Sequence, residues 1–139
     1  DNVLDRKKIA QAVFNSPKIL KSLESLIHPA VRQAIHERYV QACASGQKTL
    51  FIAEIPLLFE SEQSNDFDKT ICVVADENIR KQRYGKRTAG QENDFNQRQQ
   101  NQWPQEKKAQ QADFVIINNG SLEQLQKDVY AVYKLLINP

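Results

Sequence analysis

Three arginines carry the clearest chemical signal in this sequence. Arg80, Arg83 and Arg87 follow one another at steps of three and four residues, so a helix would set all three on one side. Guanidinium groups in a row suit several phosphate oxygens at once, because each offers a planar fork for charge-assisted, often bidentate bonds. The same spacing also describes an ordinary solvated basic face. Arg98, Lys107 and Lys108 continue the positive charge through a stretch where apolar residues are sparse. A mobile cationic arm of this kind is what a lid over a transferring phosphoryl group needs, since closure brings charge in and excludes water. Glu60 closes the run Pro56-Leu57-Leu58-Phe59 after an apolar strand-like stretch, at the strand end where open α/β sheets bind ligands. Asn118-Asn119-Gly120 takes the corresponding place after a later strand, and plain turn chemistry accounts for it equally well. His28, ahead of Pro29, reads as a capping or hydrogen-bonded histidine before it reads as a base.

Other chemistries find no support. A phosphate-binding loop needs closely spaced glycines followed by Lys and Ser or Thr. The four glycines are Gly46, Gly85, Gly90 and Gly120. Gly85-Lys86 runs into Arg87, Arg80 stands where a first glycine belongs, and Gly46-Gln47-Lys48-Thr49 has the wrong spacing. Cys43 and Cys72 lie far apart without further ligands at metal spacing, so no metal site is expected and both read as buried, reduced thiols. A net charge of +2 gives no global case for nucleic acid. No apolar run reaches membrane-spanning length and none resembles a signal peptide, which points to a soluble, cytoplasmic protein. The sequence opens at Asp1 and lacks methionine altogether, which is expected of a piece of a longer product.

The elements that must position these groups follow from periodicity. Asp5 can cap a helix reaching about Phe14, and Asn15-Ser16-Pro17 breaks it. Ile19, Leu20, Leu23, Leu26 and Ile27 form one helical face; Pro29 then opens a third helix through Val31, Ile35, Tyr39 and Cys43 towards Gly46. Three short apolar runs, at about 49–55, 69–75 and 113–118, predict parallel strands covered on both faces. Between the last two lies a polar, Gln-rich segment, and after the third Ser121 and Gln124 predict a capped helix with Leu122, Leu125, Val129, Val132 and Leu136 as its core stripe.

Taken in order, these residues resemble one family. Asp5-Arg6 with Val13-Phe14, Leu23-Glu24 and His28-Pro29-Ala30-Val31 is similar to the helical substrate domain of dephospho-coenzyme A kinases. Ile55-Pro56-Leu57-Leu58-Phe59-Glu60 resembles that family's Pro-Leu-Leu-x-Glu segment, and Phe67-Asp68 with Lys69 to Val74 its next strand. Arg83-Tyr84-Gly85-Lys86-Arg87 is similar to its paired-arginine lid. Arg98, Gln102 and Lys108 before Ala112-Asp113, and Val115 to Gly120, complete the match along nearly the whole chain. Trp103 and the richness in Gln depart from the family's pattern.

The resemblance implies an α/β fold of the P-loop kinase type: a parallel sheet, a helical substrate domain and a helical lid, with the first strand and the phosphate-binding loop missing from this sequence. Residues 1–46 would form the helical, coenzyme A-side region, 47–76 and 112–139 the α/β core, and 77–111 the lid. It implies transfer of a phosphoryl group from ATP, with Mg2+, to the ribose 3′-hydroxyl of dephospho-coenzyme A, the last step of coenzyme A synthesis. Magnesium would be bound mainly outside these residues, and the chain by itself would be inactive. Arg83 and Arg87 would face the ATP phosphates as the catalytic arginines. Asn118, Asn119, Gly120 and Arg98 would contact ATP. Arg6, His28, Leu57, Leu58 and Glu60 would line or brace the substrate. Another small P-loop kinase acting on nucleosides or nucleotides, or a non-catalytic module holding a phosphorylated ligand or RNA, are the competing expectations. Oligomeric state is left open.

Overall fold

A computed structural model describes residues 5, 8–9, 12–13, 16–46, 49–88, 95–96, 99–100 and 102–138. The chain divides into two compact units, 1–53 and 54–139.

In the first unit, Lys8, Ile9, Ala12 and Val13 are helical, and the Asp5 carboxylate accepts the Lys8 N–H as a cap. Helix α1 spans Pro17–Ala44, with Ser16 as N-cap accepting from the Ile19 N–H and a proline in its first turn. The helix break expected at His28-Pro29 does not occur: Pro29 lies inside α1. Pro29 cannot donate to the Ser25 carbonyl one turn back and its ring crowds that carbonyl, but Ser25 is exposed, where water can reach it. Gly46, at φ +62°, carries the chain out of the helix in a left-handed conformation that glycine adopts without penalty. The apolar face predicted for α1 is only half covered within its unit. Leu20 and Leu23 are half-buried, but Leu26 is 74% exposed and Ile27 and Val31 are exposed. Cys43 is exposed too, correcting the expectation of two buried thiols.

The second unit holds the sheet. Strand β1 (Ile71–Val74) pairs in parallel with β2 (Phe114–Ile117), Ile71 opposite Phe114 and Val74 opposite Ile117. Parallel neighbours require a crossover, and the connection contains helix α2 (Glu77–Thr88) and helix α3 (Gln105–Gln111). Helix α4 (Leu122–Ile137) follows β2, its N-cap Ser121 accepting from the Gln124 N–H as expected. Helix α3 packs on β1 and α4 on β2.

Two of the three predicted strands therefore form, within two residues of their expected limits. The first does not. Residues 50–55 belong to no strand, because β1 and β2 pair only with each other among the described residues and an apolar run becomes a strand only with a ladder partner. Nor is the sheet fully covered. Cys72 and Ile116 are buried, whereas their cross-strand neighbours Val115 and Val73 are exposed, as is Ile117. The stripe of α4 is likewise shifted: Leu125, Val132 and Leu136 are half-buried with Asp128, while Leu122 and Val129 face solvent.

A polar staple fixes the start of both strands. The Asp113 carboxylate accepts the Thr70 N–H at 2.8 Å and the Thr70 hydroxyl at 2.9 Å, and its other oxygen meets Lys69 Nζ at 3.0 Å. The Thr70 hydroxyl in turn accepts the Asp113 N–H. The Thr70 N–H bond first, then Lys69 and the Thr70 hydroxyl, hold the Asp113 carboxyl down at about 2 from an ordinary 3.8. A pKa lowered by folding contributes stability that is present above the unfolded value and lost as pH falls through the folded one. Thermal midpoints measured between pH 5 and pH 2 should therefore fall less steeply for Asp113→Asn than for the unaltered protein, in the window from about 4 to about 2. Identical acid profiles for the two proteins would remove the staple from the stability of the sheet.

Candidate active site

The carboxyl ends of the two parallel strands and the amino-terminal part of α2 meet at one place. The Asn118 N–H donates to the Val74 carbonyl at 2.8 Å, extending the ladder by one bond past β2. Across the same edge the Asn119 side-chain oxygen accepts the Asp76 N–H at 2.8 Å. Asp76 precedes α2, so this bond ties the start of the helix to the turn after β2. None of Asn118, Asn119 and Gly120 has positive φ. A Cβ on Gly120 would meet the Gln124 side chain at 3.6 Å, an ordinary contact. The turn is set by side-chain and ladder hydrogen bonds, not by a glycine-only backbone.

The arginine row divides by role. Arg80, half-buried, donates from Nε to the Ala75 carbonyl at 3.1 Å, and its guanidinium lies 5.9 Å from the Phe95 ring. It is built into the end of β1. Arg83 is exposed, and its Nη1 donates to the Asn118 carbonyl at 2.8 Å. Among the described residues this bond holds the guanidinium at the strand ends, and an arginine has five N–H donors to offer. Arg87, also exposed, sits 5.8 Å from the Tyr84 ring near the end of α2. Tyr84 is buried and stacks at a tilt on Phe95, 5.6 Å between centroids. The helix is thus anchored by an aromatic pair; it presents Arg83 at the edge where ligands of open sheets bind, and Arg87 to solvent in its last turn.

A second cluster involves the Pro56–Ser61 turn. The Glu62 N–H donates to the Phe59 carbonyl and the Gln63 N–H to the Leu58 carbonyl, the two bonds of a Schellman closure, with Glu62 at φ 56° in the left-handed position. Leu57 and Leu58 are half-buried on this turn. Glu60 does not point to solvent. Its Oε1 accepts the Trp103 N–H at 2.8 Å and meets Lys108 Nζ at 2.7 Å. Burial pushes the Glu60 carboxyl up, but the bonds from Lys108 and Trp103 outweigh it and the net shift is downward. Lys108 also donates to the Pro56 carbonyl at 3.4 Å, and Lys107 lies 3.3 Å from the Trp103 ring centroid. Burial raises the pKa of the nearby Cys72 thiol, which lies buried in β1.

Of the residues expected at a site, Arg83 and Asn118 are in direct contact, with Asn119 and Gly120 beside them. Leu57, Leu58 and Glu60 share one turn. His28 is half-buried on α1 in the first unit. Arg6 and Arg98 lie outside the described residues. No spacing in the sequence singled out Lys108 as the partner of Glu60, or Arg80 as the anchor of α2. Their partners lie on other elements, and only the fold brings them together.

The sequence model of the dephospho-CoA kinase family matches residues 1–124. The chain belongs to the dephospho-CoA kinase family. The dephospho-CoA kinase of Chlamydia caviae is 43% identical over 129 residues, which cover 93% of this chain and 64% of that protein. The crystal structure of TT1252 from Thermus thermophilus superposes with a TM-score of 0.80 at 34% identity, covering 96% of this chain and 68% of that one. A dephospho-CoA kinase from Campylobacter jejuni superposes at 0.65 with 28% identity, over 99% of this chain and 68% of that one. The α/β fold of the dephospho-CoA kinases, P-loop kinase-like with a parallel sheet, is therefore the fold of this chain. The chain spans about 64% of the length of the curated relatives first matched. Among the described residues no helix is long and apolar enough to cross a membrane.

Proposed function

We propose that these residues serve a dephospho-CoA kinase whose phosphate-binding loop lies outside them. The ribose 3′-hydroxyl oxygen of dephospho-coenzyme A attacks the γ-phosphorus of ATP, the bond from that phosphorus to the bridging β-phosphate oxygen breaks, the hydroxyl proton passes to a base outside these residues, and ADP departs. The observation that carries this reading is Arg83, a family lid arginine, held by Asn118 at the carboxyl ends of two parallel strands. Charge that spreads over the equatorial oxygens during transfer is stabilised by such a pre-placed cation.

Arg83 and Arg87 face the ATP phosphates in this proposal. Asn118, Asn119 and Gly120 lie near the nucleotide, with Arg98 on the same arm. Residues 77–111 act as the lid. Residues 1–46 form the coenzyme A-side region, with Arg6 and His28, and Leu57, Leu58 and Glu60 line or brace the same substrate. Among the described residues no group of three or more His, Cys, Asp and Glu is arranged to hold a metal ion. Magnesium accompanying ATP would be bound mainly by groups outside these residues, as the family resemblance implies, and no step here is assigned to it.

The test is the position of the new phosphate. The full-length protein, given ATP and dephospho-coenzyme A, should yield ADP and a product whose 31P spectrum carries a phosphomonoester on the ribose 3′-oxygen. Turnover of nucleosides or nucleotides with none of dephospho-coenzyme A would transfer the site to the other small P-loop kinases. ATP binding without turnover of either acceptor would favour a binding module.

A further inference from the structure

We infer that Glu60 is a positioning residue: its carboxylate clamps the turn carrying Leu57 and Leu58 to the segment Trp103–Lys108. The inference rests on the functional reading only where it concerns substrate; the clamp itself is a matter of geometry. Oε1 takes two donors, the Trp103 N–H at 2.8 Å and Lys108 Nζ at 2.7 Å. Oε2 is fully buried and has no hydrogen-bond partner among the described residues. One oxygen is thus occupied and the other is closed off, so neither offers a substrate an open acceptor. The side chains of Glu60 and Lys108 are only 13% and 14% exposed, and a pair so shielded is screened far less than a surface ion pair.

Lys108 holds the turn at both ends, through Glu60 Oε1 and through the Pro56 carbonyl. Just beyond Glu60 the turn closes through Glu62, in a left-handed conformation that a side chain adopts at a cost. Trp103 precedes α3 and Lys108 lies within it, and this helix packs on β1. The carboxylate therefore registers the Leu57-Leu58 turn against the sheet and against the point where residues 77–111 rejoin it. Removing the Lys108 charge should release the turn, because it leaves a buried carboxylate without its counter-ion.

The experiment compares Glu60→Gln, Lys108→Met and the double variant in the full-length protein by amide hydrogen exchange and by kinetics. Glutamine keeps the shape and an acceptor for the Trp103 N–H, so it isolates the charge. Exchange across residues 56–62 and 102–108 should rise together in Lys108→Met, by about tenfold or more, while β1 and β2 stay protected. The double variant should exchange more slowly than Lys108→Met, since no unpaired charge remains. Unchanged exchange at 56–62 in Lys108→Met would overturn the clamp, and that outcome does not depend on the substrate. With the clamp in place, KM for dephospho-coenzyme A should rise about tenfold in Lys108→Met, with KM for ATP within about twofold of the unaltered enzyme. Faster exchange with both KM values unchanged would reduce Glu60 to a purely structural residue. An unaltered protein that never phosphorylates dephospho-coenzyme A would refute the functional reading, and the exchange data would still decide the clamp.

Discussion

The 139 residues by themselves should form no ADP from ATP and dephospho-coenzyme A above background, at least about 1,000-fold below the full-length enzyme. Phosphoryl transfer asks little covalent chemistry of a protein and a great deal of positioning and charge stabilisation. A cradle of backbone amides with a following lysine holds the β- and γ-phosphates, and such a loop requires glycines at close spacing. Gly46, Gly85, Gly90 and Gly120 do not supply it. Loss of one transition-state cation alone is worth a factor of about 1,000 or more in related enzymes, and here the whole cradle is absent from the sequence. A coupled assay for ADP, run on both proteins at matched concentration, checks the expectation. Substantial turnover by the 139 residues would mean that the catalytic machinery lies elsewhere than proposed.

Arg83→Ala in the full-length enzyme should lower kcat by about 100-fold or more and raise KM for ATP much less. A factor of that size corresponds to roughly 2.7–4 kcal/mol, the range for loss of one well-placed electrostatic donor. The division between kcat and KM follows if Arg83 meets charge mainly in the reacting state. The hydrogen bond to the Asn118 carbonyl sharpens the expectation, because it fixes the guanidinium before ATP arrives. Lysine at 83 should restore only part of the rate: one ammonium cannot both hold that carbonyl and offer a planar fork to phosphate oxygens. The thermal midpoint should barely move, since the side chain is exposed and single surface charges contribute little. Steady-state kinetics within about twofold of the unaltered enzyme would leave Arg83 as part of a solvated basic face.

Much of the fold was legible in local sequence because its causes are local. Apart from Cys72, Ile71–Val74 and Phe114–Ile117 are runs of β-branched and aromatic residues with helical connections between them, and such a pattern favours a parallel pair. Ser121 caps the helix that follows it as its side chain dictates. The row of Arg80, Arg83 and Arg87 needed only helical spacing. The family resemblance likewise rested on ordered short motifs, and the matched family bears it out.

What the sequence could not settle depends on partners distant along the chain. Residues 50–55 are apolar but for Glu54, yet a strand exists only where another backbone offers a ladder, and none among the described residues does. Pro29 reads as a helix start by its residue type; whether it opens a helix or sits inside one is decided by the turns on either side, which continue through it in α1. Equal spacing made the three arginines equivalent, and the tertiary structure separated them: Arg80 was drawn to the Ala75 carbonyl and Arg83 to the Asn118 carbonyl, leaving Arg87 beside Tyr84. Glu60 shows the difference most plainly. Its motif marked it as a residue of interest and its place after an apolar run aimed it at substrate. The packing of α3 on β1 brought Trp103 and Lys108 to its carboxylate, and the low-dielectric setting of that contact made it a clamp. Periodicity and motif fix which residues are candidates, because they depend on neighbours in the chain; charge, burial and hydrogen-bond partners fix what each one does, because they depend on neighbours in space.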